Sequence, residues 1–162
     1  MPNDFYGLPL HPLIVHATVV MVPLAALTVV LSAVWPRFRA WAGPLPAALS
    51  LVGVILVPLS TSTGETLEKH TAESALLEKH TQMAEGLLPW MIALLVFAVV
   101  VYAVHLRTRQ GHSVAGLLKG VVAACAIVAA IGTSVQVARI GHSGAKAAWD
   151  DTDMTSTSQA RG

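Results

Sequence analysis

Leu13-Ile14-Val15-His16-Ala17-Thr18-Val19-Val20-Met21-Val22-Pro23-Leu24-Ala25-Ala26-Leu27-Thr28-Val29-Val30-Leu31-Ser32-Ala33-Val34-Trp35 is a run of 23 residues with no acidic or basic side chain apart from one histidine. As a helix it would be about 35 Å long, enough to cross a hydrocarbon layer of about 30 Å with some tilt. Only His16, Thr18, Thr28, Ser32 and Pro23 interrupt it. Pro23 is expected to kink the helix unless its neighbours compensate. Three more apolar runs follow, and together they predict an all-α integral membrane four-helix bundle. The spans are placed at about 13–35, 45–62, 87–106 and 114–138.

Composition agrees. The chain is 54% hydrophobic and 12% charged, about half the charge of an ordinary soluble domain. A formal net charge of +1 with no Lys/Arg run speaks against a nucleic-acid partner. Cys125 stands alone, so no internal disulfide is available, and a small packing residue is the expected role. No Lys or Arg precedes Arg37, so the basic region of a secretory signal is missing and the first run reads as a retained span.

The connections divide into two kinds. Pro36–Pro44 and Arg107–Ser113 are short and basic, the first with aromatic flanks. Glu65–Glu85 is longer, rich in helix formers and mixed in charge, and predicts two helical extensions on the outer side, joined by a turn between Lys69 and Ser74. The echo of Leu67–Thr71 in Leu77–Thr81 is ten residues apart, not a whole number of helical turns, and implies no repeat architecture. The membrane domain is expected to end near residue 149, with 150–162 a disordered polar tail. Lys and Arg number five on each side, so orientation rests on the first helix, with none before it and two just after it. That places both termini outside the cytoplasm.

The histidines carry the functional reading. An ionisable group within a membrane span is a functional-site hypothesis by default. Pro12 suits the first helical position, which would put His11 at the N-cap and His16 about 6 Å deeper, on a different face. Four antiparallel crossings gather His11, His16, His70, His80 and His142 at the outer end, leaving His105 and His112 at the inner end. On the fourth helix Gln136, Arg139 and His142 or Ser143 form one polar stripe. Arg139 there calls for an anion, either Glu65, Glu68 or a cofactor carboxylate, or else snorkels to the headgroups.

Gly7-Leu8-Pro9-Leu10-His11-Pro12-Leu13-Ile14-Val15-His16, the histidine ahead of the third span (His80), and Gly141-His142-Ser143-Gly144-Ala145 followed by Trp149 resemble the bacterial membrane proteins catalogued as domain of unknown function 2231. The resemblance runs from about Gly7 to Trp149. Members look like four-helix relatives of the b-type membrane cytochromes, and some carry a Rieske-type iron–sulfur domain. This implies a haem or redox role, with a Rieske-type or other redox protein as partner. His11, His16, His80 and His142 match the family pattern by position, whereas His70 does not. Ala17-Thr18 stands where many members have Phe-Pro.

Two cofactors then suit the outer end. One b-type haem could be held by imidazoles from different helices, with His16 the leading ligand, His80 or His142 opposite, and Arg139 on a propionate. Gly53, Ala130 and Gly132 could leave room for the macrocycle. Alternatively His11, His16, His80 and His142 could bind zinc or copper, with Glu65, Glu78 or Glu85 near. In a third reading the histidines only cap, hydrogen-bond and sense pH. Without Cys-x-x-Cys-His, covalent haem attachment is excluded. Without a nucleophile–base pair, a phosphate loop or carboxylates inside the spans, the chain reads as an electron carrier or accessory subunit rather than a stand-alone enzyme.

Overall fold

The computed structural model describes residues 4–5, 8–68 and 83–149, with side chains over 13–64 and 83–145. A two-residue antiparallel pairing of β1 (Asp4–Phe5) with β2 (Leu8–Pro9) precedes the helices α1 (Leu10–Val34), α2 (Pro36–Ala42) and α3 (Leu45–Glu68). Then come α4 (Leu87–Arg109) and α5 (Gly116–Trp149). Four helices are long and apolar enough to cross a membrane, and the protein is a four-helix multi-pass bundle as its sequence predicts. Residues 69–82, with His70, His80 and the expected turn, lie outside the described residues, as does the tail 150–162.

Several boundaries differ from expectation. Helix α1 begins at Leu10, so His11 is inside it and Pro12 is its third residue rather than its first. Its missing N–H still costs nothing there, because the first four donors of a helix have no intrahelical acceptor. Pro36–Ala42 is a helix, not a turn: Pro36 occupies the position where proline is pre-organised, and Gly43 ends it at φ 55°. Helix α5 continues past Ala138 to Trp149, so Gly141 and Gly144 do not break it. Pro23 and Pro58 lie within unbroken helical segments and are exposed.

The packing is a narrow seam. Thr18, Val22, Ala25, Val29 and Ser32 are buried on α1, flanked by buried Ala26 and Thr28, and Pro46, Ser50, Gly53 and Val57 are buried on α3. On α4 the row is Leu87, Met91, Leu94, Ala98 and Val101, and on α5 Val122, Ala126, Ala129 and Thr133, flanked by buried Ala130. Each set alternates steps of four and three, the coiled-coil spacing that keeps one thin stripe facing its neighbours. The stripe is rich in Ala, Gly, Ser and Thr, while Val20, Ile55, Val128 and Leu117 are exposed. In lipid that is the favourable distribution, since small residues let helices approach and large apolar ones cost nothing outside. Buried hydroxyls mostly bond their own helix: Thr18 Oγ1 donates to Ile14 O (2.8 Å), Ser50 Oγ to Pro46 O (2.8 Å), and Thr133 Oγ1 to Ala129 O (2.8 Å). Helix α1 packs on α3 and α5, and α4 on the other sides of both, so the helices run round the bundle in the order α1, α3, α4, α5.

Candidate functional site

Up-and-down connectivity brings the start of α1 and the end of α5 to one end of the bundle, and these two helices pack together. His11, His16, Arg139 and His142 are therefore at one end, as the sequence predicts. Which way they face is another matter. His16 is exposed. It is two residues from the buried Thr18, about 200° around the helix, so the phase that buries Thr18 turns His16 outward. His142 and Arg139 are exposed as well, whereas Gln136 and Ser143 are half-buried. The expected polar stripe is thus split, with Gln136 and Ser143 turned toward the bundle and Arg139 and His142 on its flank. The side chains of His11, Glu65 and Glu68 lie outside the described ones. Among the described residues, no three His, Cys, Asp or Glu side chains gather closely enough to hold a metal ion.

Below these residues the described helices pack closely at two glycines. A Cβ placed on Gly132 would land on the Trp90 indole, and one on Gly53 would land on Met91 Cε. Thr133 Oγ1 also lies 3.3 Å from Trp90 O, and Gln136 Nε2 donates to Met83 O at 2.7 Å, tying α5 to the residues leading into α4. Ala130 is buried in the same packing. The space that small residues were expected to leave for a macrocycle is filled by Trp90 and Met91. His16 stands about 9 Å outward of Val22, which neighbours Gly53 and Met91, and His142 about 14 Å outward of Thr133.

The opposite end holds what the sequence reading missed. There a cavity of about 300 Å³ opens between α1, α2, α4 and α5. Arg39, His105, Thr108 and Lys119 supply its polar lining, and Val101 and Val122 are among its apolar walls. Arg39 folds back from α2 over the end of α1, donating through Nη1 to Ser32 O (3.0 Å) and Ala33 O (3.4 Å). Its Nε is buried without a hydrogen-bond partner, as is Ser32 Oγ. Both residues also line a second cavity of about 10 Å³, room for about one water. A sequence signal for this region existed: every Lys and Arg from residue 5 to 64 and from 86 to 120 falls at this end, and neither stretch contains Asp or Glu.

A family model described as a predicted membrane protein, DUF2231, matches residues 7–156. The chain belongs to that family. No curated protein and no solved structure matches it. The DUF2231 match takes in all four spans and both ends of the bundle, including His11, His16, His80, Arg139 and His142. Cys125, the one cysteine of this DUF2231 protein, is half-buried on α5.

Proposed function

We propose that this DUF2231 protein is a membrane electron carrier or accessory subunit holding one b-type haem at the end of the bundle that carries both termini. The observation that carries the reading is the antiparallel pairing of α1 with α5, which brings His16 and His142 to one end from opposite parts of the chain. Imidazoles are the donors haem iron takes, and Arg139 is a cation of the kind that holds a propionate. The closed packing of Trp90 on Gly132 and Met91 on Gly53 limits the fit to the rim, outward of that layer. There His16 and His142 stand exposed, and His80 belongs to the segment leading back into α4. Bound haem would supply one-electron chemistry; His16 with His80 or His142 would hold it, and Arg139 would orient it. A site at the end of the bundle suits exchange with a docked redox protein, a Rieske-type protein being the partner chemistry that the resemblance implies. With no basic residue before α1 and two just after it, both termini face away from the cytoplasm.

The test is an absorption spectrum of detergent-purified protein from haem-supplied cells, oxidised and then reduced with dithionite. A Soret band with sharp reduced α and β bands, weakened in His16→Ala and His142→Ala, is the expected result. No visible absorbance rejects haem, and zinc or copper found by elemental analysis would replace it with the ion reading.

A further inference from the structure

The cavity at the basic end belongs to no part of that reading, and it has the features of a binding site. Its polar lining is cationic: Arg39 and Lys119, with His105 and Thr108 beside them. Arg37, Arg107 and Arg109 add charge around it, and no Asp or Glu lies between residues 5 and 64 or between 86 and 149 to neutralise any of them. Arg39 is the telling residue. Ser32 O and Ala33 O share its Nη1, and among the described residues no carboxylate lines the cavity to compensate its charge, which an anion would do. An anion is the ligand this lining lacks.

Size and depth narrow the anion. A volume of about 300 Å³ is about ten times the share of one liquid water, more than a small ion fills. Apolar walls at Val101 and Val122 under a cationic rim suit a ligand that is itself amphipathic. Helix α2 fixes the depth. Trp35 stacks on Phe38 (6.4 Å between centroids), Phe38 meets Trp41 (5.7 Å), and Trp41 is 77% exposed. Such an aromatic cluster beside basic residues marks the headgroup level of a bilayer. Arg39 lies within this same short helix, so the cavity mouth is at the depth of lipid phosphates.

We infer that the cavity between α1, α2, α4 and α5 binds the phosphodiester headgroup of an anionic phospholipid, with Arg39 and Lys119 on the phosphate and the apolar walls against the glycerol. Arginine and lysine both form charge-assisted bonds to phosphate oxygens, and basic pockets between transmembrane helices recognise headgroups in this way.

Native mass spectrometry of the full chain in detergent, titrated with dioleoylphosphatidylglycerol or dioleoylphosphatidylcholine, tests this. One phosphatidylglycerol should be retained in preference to the zwitterionic lipid. Lys119 is exposed on the rim, so Lys119→Gln should keep the fold and weaken retention about tenfold. Arg107→Gln removes the same charge from the same end without touching the cavity, and should change retention about twofold or less. Gly120 lines the cavity with open space where a Cβ would go, so Gly120→Leu should block retention at unchanged charge and unchanged melting temperature. Displacement by millimolar inorganic phosphate would identify the phosphoryl group alone as the ligand, with free phosphate as its source; failure to displace would identify the lipid. Equal retention of the two lipids overturns the site. So does equal loss in Lys119→Gln and Arg107→Gln, or full retention in Gly120→Leu. None of these readouts depends on whether haem is bound at the other end.

Discussion

The two ends of this bundle are opposites. One gathers histidines from distant parts of the chain, yet two of the glycines beneath them are covered, Gly132 by Trp90 and Gly53 by Met91. The other has fewer residues that suggest chemistry, yet it holds a cavity of about 300 Å³ lined by the half-buried Arg39. Chemical types can converge on an end without entering its interior. Entry depends on the phase of each helix, and the two ends differ because the seam excludes His16 and His142 while the fold-back of α2 brings Arg39 in.

That contrast can be broken most directly at Gly132. Gly132→Val should drive a branched side chain into the Trp90 ring and cost about 3 kcal/mol, read as a lower melting temperature in detergent. Melting like the wild type would mean that this end has the room the packing denies it. Next is Arg39→Ala, which removes the donor to Ser32 O and Ala33 O. Loss of hydrogen bonds from a charged group should cost about 2 kcal/mol, whereas a change below about 0.5 kcal/mol would show that Arg39 does not hold α2 to α1.

Smaller effects sharpen the comparison. Gln136→Leu leaves Met83 O without its donor and should cost about 1 kcal/mol, with faster hydrogen exchange at the start of α4 as its specific sign. Slowest to register in stability should be His16→Ala and His142→Ala, both at exposed positions and expected within about 0.5 kcal/mol of wild type without cofactor. A larger loss in either would make that histidine part of the bundle's own packing, and its role at the rim would have to be argued again.

Much of the architecture was legible because a bilayer imposes a coarse rule: a run such as Leu13–Trp35 has few alternatives to crossing. The short basic connections, the even number of spans and the resulting common end for His16 and His142 followed from counting. Helix boundaries were less legible. Pro36–Ala42 reads as a turn from its prolines and charges, but proline at the first position starts a helix as well as it ends one. The fourth span reads as ending near Ala138, yet α5 runs on to Trp149.

What the amino-acid sequence by itself determined is the number of crossings, their order and the end at which His16, Arg139 and His142 emerge. Those follow from transfer free energy and chain connectivity, which need no knowledge of neighbours. Only the tertiary structure decided which face of each helix turns inward. When Val, Leu and Ile face lipid and Ala, Gly, Ser and Thr face other helices, both faces are apolar enough that hydropathy does not distinguish them. Close packing then selected the seam that buries Thr18 and leaves His16 outside, filled the space at Gly132, and left a cavity beneath Arg39.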